Sequence, residues 1–300
     1  MFGSQHGIFE SGGPHHHYLE FALRPGADIG ALKSVLRDIL SQKLTDQQTL
    51  VIAFGPALWS KITVSEPPGG LRDFTDITGV DGHTAPATQR DIWVWLQGPR
   101  PDVNFDIALL VSNGLNPLAR PALEIQGYSY HGNRDLIGFV DGTANPKTSE
   151  DQAAAALVPG TNGGSYLLTQ KWVHNLSAFN ALNVQQQESV VGRTKEDDIE
   201  LVGAAMPADS HVSRTDASED GIALKLWRRS SPYGSVSENG LYFVAFACDI
   251  HRFDAQLKRM YGVAEDGLHD QLIHYSKATS GAYWYVPGVI ELSDVVESGR

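Results

Sequence analysis

A strand, helix, strand order that occurs towards both ends of the chain is the feature that most constrains its fold. Leu19, Phe21 and Leu23 alternate with Tyr18, Glu20 and Ala22, as in a half-buried strand. After Pro25-Gly26, the residues Leu32, Val35, Leu36 and Ile39 recur at helical spacing behind Asp28, a capping residue type. The apolar run 50–54 reads as the next strand. Residues 91–96 have the β-branched and aromatic character of a strand, 105–115 read as a helix and 123–130 as extended chain. Residues 241–247 form a strongly apolar strand, Ile250, Phe253, Leu257 and Met260 share one helix face, and 283–286 supply another strand. The early pattern therefore returns after about residue 200. This predicts an α+β protein of two related halves, 1–130 and 201–300. The segment between them, 131–200, is rich in Gly, Asn, Gln and Thr and is expected to carry loops and functional contacts.

A chain of 300 residues can bury a substantial core without covalent staples. Cys248 is its only cysteine, which rules out an intrachain disulfide, cysteine-rich zinc or iron-sulfur sites, and haem attached through a cysteine pair. The N-terminus has neither the basic start nor the apolar run of a secretory signal, and no stretch reaches the roughly 20 apolar residues of a spanning helix. A soluble, cytoplasmic protein is the expectation. The net charge of -12 repels nucleic acid and anionic membrane, leaving cations and neutral aromatics as partners.

Three segments contain residues suited to chemistry. Gly138 to Pro146 places Asp141 in a loop dense in turn formers, although Asp-Gly and Asn-Pro are also ordinary turn signals. Ser210-His211-Val212-Ser213-Arg214 offers an isolated histidine, a type that is more often structural than a ligand. Trp227-Arg228-Arg229-Ser230-Ser231-Pro232-Tyr233-Gly234 offers paired arginines, which usually form a solvated or ion-paired face. Ala85-Pro86-Ala87-Thr88-Gln89, Arg134 through Pro146, Gly163-Gly164-Ser165-Tyr166, Trp172-Val173-His174-Asn175-Leu176 and Gly192-Arg193-Thr194-Lys195 precede the last two segments in that order. Together these segments resemble the dye-decolourising peroxidase family, especially its bacterial cytosolic branch without a signal peptide, over nearly the whole chain.

The resemblance implies two ferredoxin-like halves forming a dimeric α+β barrel-like fold, with one haem b per chain bound mainly by the C-terminal half. It assigns His211 as the proximal iron ligand and Asp270 as the acid behind its other ring nitrogen. Asp141, in the Gly-x-x-Asp-Gly loop, becomes the distal acid/base. Arg228, four residues before the Pro of the Pro-aromatic-Gly turn, becomes the distal arginine in preference to Arg229. Gly142, Thr143 and Ala144 fall against the haem edge. Arg193 and Arg214 are either propionate partners or structural ion pairs, and Ser230 stands where some relatives carry Asn.

The implied activity is reduction of hydrogen peroxide coupled to one-electron oxidation of aromatic dyes, phenolic donors or Mn(II). The enzyme would act as a homo-oligomer with no nucleic-acid or membrane partner. A haem-binding or haem-handling protein with incidental peroxidase activity is the alternative, and an interaction module that has lost haem is a third reading. Trp227, beside Arg228, is either an electron relay or core packing. The triplet His15-His16-His17 reads as a solvated tract on a mobile arm before the first strand, with a small metal-binding tract as the other reading.

Overall fold

The computed structural model describes residues 3–45, 47–63 and 65–298. Its N-terminal half runs β1 (His15–Leu23), α1 (Ile29–Leu40), β2 (Thr49–Phe54), β3 (Ile92–Gly98), α2 (Pro101–Leu115) and β4 (Ala119–Tyr128). Asp28 starts α1 by accepting hydrogen bonds from the Gly30 and Ala31 amides at 2.7 and 3.2 Å, and Pro101 occupies the first turn of α2. The strands pair antiparallel in the order β4-β1-β3-β2. Leu32, Leu36 and Ile39 of α1 and Val111 and Leu115 of α2 pack with Leu19, Ile52, Val94 and Leu96 of the sheet. Each such side chain contributes about 1.5–3 kcal/mol by leaving water.

The second half repeats the plan. It comprises β5 (Ser165–His174), α3 (Val184–Val191), α4 (His211–Thr215), β6 (Trp227–Arg228), β7 (Ser231–Gly234), β8 (Asn239–Ala247), α5 (His251–Met260), β9 (Ser276–Ala278) and β10 (Ala282–Val286). β6 and β7 are two pieces paired with β8, while β9 and β10 are two pieces paired with β5. The resulting order, β7-β8-β5-β10, matches that of the first half. The expected boundary at residue 201 therefore needs correcting. β5 lies inside the segment taken as a connection, yet it is a central strand of the second half, paired to β8 along eight consecutive residues from Tyr166 to Val173. Its two faces are both covered, so the period-two alternation of a half-exposed strand is missing.

Ten strands make one sheet, and pairing of β8 with β5 closes it into a barrel. The halves meet at two thin seams, Tyr233 opposite Gly127 and Tyr285 opposite Phe54. Alternate residues face opposite ways. Tyr18, Val51, Trp93, Trp95, Tyr242 and Trp284 cluster inside the barrel, and their neighbours Leu19, Ile52, Val94 and Tyr283 join the outer core under the helices.

The histidine triplet also departs from expectation. It forms the start of β1 and pairs with β3 and β4. His17 is buried and bonds Glu124 at 2.8 Å, while His16 Nδ1 meets the Tyr18 hydroxyl at 3.1 Å and accepts from Trp95 Nε1 at 3.2 Å. Burial pushes the His16 imidazole down to about 3. The polar character of the triplet concealed a strand in which the His16 and His17 side chains find protein partners.

Candidate active site

Leu168, Gln170, Trp172 and His174 alternate along β5 and line one cavity together with Leu241 and Phe243 of β8. Phe253, Leu257 and Met260 of α5 form the facing wall. The cavity offers about 130 Å³ to the centres of water-sized spheres. An adjoining cavity shares Asp141, His211 and Arg228 but is bordered by Arg193, Glu200 and Lys225. The combined space has an apolar interior and a charged mouth.

His211 opens α4, whose N-cap is Ser210, with the Ser210 hydroxyl accepting from the Ser213 amide at 3.3 Å. The helix is fastened from beneath: Arg259 donates to the carbonyls of Ser213 and Arg214 at 2.7 and 3.1 Å. Buried Arg214 forms a two-pronged pair with Asp266 at 2.7 and 2.9 Å. Arg214 is thus a structural residue rather than a cavity residue. His211 Nδ1 lies 2.6 Å from Asp270 Oδ2, and Asp270 is fully buried. The other carboxylate oxygen accepts from the Leu272 amide at 2.8 Å, so Asp270 is held at both oxygens. This pairing favours the tautomer with the proton on Nδ1 and the lone pair on Nε2. Nε2 has no hydrogen-bond partner among the described residues.

Asp141 and Arg228 border the same cavities. The Asp141 amide donates to the Asn133 carbonyl at 2.9 Å, and Gly142 follows with φ 82°, a left-handed conformation that glycine adopts without strain. A side chain there would also press on Asn145 Nδ2 at 3.3 Å. Asn145 clamps the loop to β6: its Nδ2 donates to the Arg228 carbonyl at 2.9 Å and its Oδ1 accepts from the Arg228 amide at 3.1 Å. Sequence reasoning missed this residue, for which the Asn-Pro turn signal was the only hint. The Asp141 carboxylate and the Arg228 guanidinium have no hydrogen-bond or ion-pair partner among the described residues.

Arg229 differs sharply from its neighbour. It donates to the Ile8 and Glu10 carbonyls at 2.8 and 3.1 Å and to Gln97 Oε1 at 3.0 Å, and it lies 5.2 Å over the Trp95 ring. Burial lowers its pKa to about 10. Arg229 is thus committed to the N-terminal segment, whereas Arg228 is left to the cavity. Trp227 also holds that segment, donating from Nε1 to the Ile8 carbonyl at 2.6 Å. Ser230 accepts from the Val244 amide at 3.3 Å.

Gly142, Thr143 and Ala144 line the charged mouth. Arg193, also there, spends its guanidinium on Asp198 and Glu200, each at 2.7 Å, and on the Asp198 carbonyl at 2.8 Å. At the inner end, His174 links Ser276 at 2.7 Å to Asp135 at 3.0 Å. Gln170, 1 % exposed, has an Nε2 with no partner, a cost of about 1–3 kcal/mol unless a cavity occupant meets it. Among the described residues no helix is long and apolar enough to cross a membrane.

Comparison with known proteins places this geometry in a family. Residues 5–129 match the N-terminal domain of Dyp-type peroxidases and residues 132–291 the C-terminal domain. A dye-decolorizing peroxidase of Brevibacterium linens is 32 % identical over 292 residues, which span 92 % of this chain and 78 % of that protein. One of Mycobacterium tuberculosis is 32 % identical over 269 residues, 87 % of this chain and 79 % of its own. Among solved structures, a dye-decolorizing protein from V. cholerae superposes with a TM-score of 0.88 at 37 % identity, covering 97 % of this chain and 99 % of its own. A DypB variant of Rhodococcus jostii RHA1 in complex with heme gives 0.89 at 29 % identity, covering 99 % of both chains. A deferrochelatase of Escherichia coli is more distant, at 27 % identity over 200 residues, 55 % of this chain and 45 % of that protein. With both domains matched almost end to end, the chain belongs to the Dyp-type peroxidase family.

Proposed function

We propose that this protein binds one haem b in the cavity, with His211 Nε2 as the iron ligand, and uses it to reduce hydrogen peroxide at the expense of one-electron donors. The observation that carries the reading is the set of unspent groups around a single cavity: His211 Nε2, the Asp141 carboxylate and the Arg228 guanidinium. The cavity suits the cofactor, with an apolar interior for a macrocycle, a charged mouth for its carboxylates and an unpartnered Gln170 amide. When bound, haem supplies a redox-active iron that hydrogen peroxide can oxidise by two electrons.

The residues of the chain perform the rest. Asp270 holds His211 in the ligating tautomer and makes its ring a stronger donor. Asp141 takes a proton from one peroxide oxygen and returns it to the other, so that water leaves. Arg228, permanently cationic, holds the negative charge that develops on the departing oxygen. Asn145 fixes Arg228 against the Asp141 loop through both backbone groups of the arginine. Gly142, Thr143 and Ala144 lie along the cofactor edge at the mouth. Aromatic dyes, phenols or Mn(II) are the donors; the net charge of -12 favours the approach of a cation. A homo-oligomer in the cytoplasm completes the reading, and the single cysteine suits a reducing compartment.

Haem-loaded protein mixed with peroxide and a phenolic donor should turn over many times per haem. Arg228→Ala should retain haem yet react about 10²–10³-fold more slowly with peroxide. A haem spectrum indifferent to peroxide in the unaltered protein contradicts the proposal. The similarity to a deferrochelatase favours haem handling as the second reading. That reading predicts haem uptake with donor oxidation that stops after a few equivalents.

A further inference from the structure

The barrel interior, on the opposite face of β5 and β8 from the cavity, contains an acid that the peroxide chemistry does not use. Glu20 of β1 is 2 % exposed. Its Oε1 accepts from the Tyr242 hydroxyl at 2.8 Å and from Thr169 Oγ1 at 3.5 Å. Tyr242 is fully buried, and its oxygen also accepts from Trp93 Nε1 at 3.0 Å. Thr169 in turn accepts from Trp284 Nε1 at 2.9 Å. A carboxylate taken this far from water costs several kcal/mol, and an apolar side chain of similar size would hold the two halves together at lower cost. Packing alone does not account for it.

Aromatic rings connect this acid to the wall of the peroxide site. Tyr18 lies 4.5 Å from Tyr242 between ring centroids, 6.2 Å from Trp93 and 5.8 Å from Trp95. The Tyr18 hydroxyl is 3.1 Å from Ser231 Oγ, and Ser231 borders a cavity together with Asp141 and Arg228. Burial raises the Tyr18 phenol; the Ser231 hydrogen bond opposes that rise, and the charge of Asp141 adds to it. Phe243, next in sequence to Tyr242, lines the cavity on the other face of β8.

We propose that Tyr242 and Glu20 form a buried redox pair that stores one oxidising equivalent inside the barrel. The inference rests on the peroxidase reading above. Tyr242 gives one electron to the peroxide-oxidised haem, and its phenolic O–H bond breaks as the proton passes to Glu20 Oε1. Phenol and carboxylate become a neutral tyrosyl radical and a carboxylic acid. The oxidant gains the electron, and hydrogen peroxide is the oxidant consumed overall. An electron from a donor and the proton from Glu20 restore the pair. Geometry suits the step, since the acceptor oxygen lies at hydrogen-bond distance from the proton it must take. Burial pushes the Tyr242 phenol well above its ordinary range, so the proton moves only when the electron leaves. Burial also raises the Glu20 carboxyl to about 7, making it the better acceptor.

Freeze-quenched electron paramagnetic resonance of haem-loaded protein after one equivalent of peroxide tests the pair. The expected signal is a tyrosyl radical whose hyperfine pattern collapses when tyrosine is supplied ring-deuterated. Tyr242→Phe should lower it at least about tenfold and Glu20→Gln several-fold, while absorbance shows the haem reacting with peroxide at the unaltered rate. Circular dichroism and haem content confirm that each variant is folded. A tyrosyl signal unchanged in Tyr242→Phe, or no tyrosyl signal although the haem reacts, overturns the pair and leaves the peroxidase reading standing. If the haem spectrum does not respond to peroxide, the peroxidase reading fails. Flash photo-oxidation with a ruthenium tris-bipyridine sensitiser and a cobalt(III) quencher then reads the pair independently. A radical on Tyr242 supports the pair in that case, and its absence overturns it.

Discussion

The two halves share one strand order but use the same position differently. Between β1 and β2, residues 24–48 contain α1, 12 residues long, and its Leu32, Leu36 and Ile39 lie in the core against the sheet. Between β5 and β6, the crossover occupies residues 175–226 and contains α3, 8 residues long, and α4, 5 residues long, with His211 at the first position of α4. One half packs the crossover helix onto the sheet. The other stands its elements off the sheet, leaves a cavity there and borders it with groups that have no partner among the described residues. Repetition of the fold therefore does not imply repetition of the core. The open crossover leaves room for a cofactor beside a core to which both halves contribute.

The largest expected effect tests the open half. Asp141→Asn keeps the shape of the loop and removes the proposed base, so reaction with peroxide should slow by about 10²–10⁴-fold with haem content unchanged. Stopped-flow absorbance measures it, and a rate preserved across pH would leave Arg228 acting alone. Next comes a pair of truncations that contrasts the two cores. Leu36→Ala in the solid half should cost about 2–5 kcal/mol in denaturant unfolding. Leu241→Ala, already bordering a void, should cost about 1–2 kcal/mol, the transfer contribution alone. Equal losses would show that the cavity wall is as tightly packed as the N-terminal core.

A pH profile probes the contact between the halves inside the barrel, where Glu20 meets Tyr242 and Thr169. The folded-state pKa of Glu20 is raised to about 7 from 4.5, because burial disfavours its charge. Below 4.5 the acid is neutral in both states and costs nothing. As pH rises from 4.5 through about 7, the unfolded chain releases the proton first, so stability falls by about 3 kcal/mol. Glu20→Gln should flatten that part of the profile in chemical denaturation, and a slope unchanged by the substitution would show that Glu20 titrates normally.

The elements that could be read from sequence were those with a helical apolar stripe or an unbroken apolar and aromatic run. The helical spacing of α1 behind Asp28 and the apolar run of β8 follow from burial on one side or from length and residue type. β5 was hidden because both faces are covered and because Thr169 and Gln170 look like loop residues, although one bonds the barrel interior and the other faces the cavity. The His15 to His17 tract misled for the same reason: its polarity is satisfied internally. In the site, motif spacing singled out Arg228 over Arg229, and the structure gives the physical difference, one guanidinium free and the other fully engaged. Asn145 and Gln170 could not be found, because what marks them is a cross-strand clamp and an orphaned amide, properties of three-dimensional placement alone.

The central claim is that the unspent nitrogen of His211 holds iron. Titrating haem into cofactor-free protein while recording the Soret absorption tests it most directly, with His211→Ala beside the unaltered chain. The unaltered protein should saturate at one haem per chain with the spectrum of a histidine-ligated ferric haem. His211→Ala should lose that spectrum and bind haem weakly, and imidazole added to the variant should restore it. An identical titration and axial spectrum in the variant would contradict the account and put the ligand on another residue.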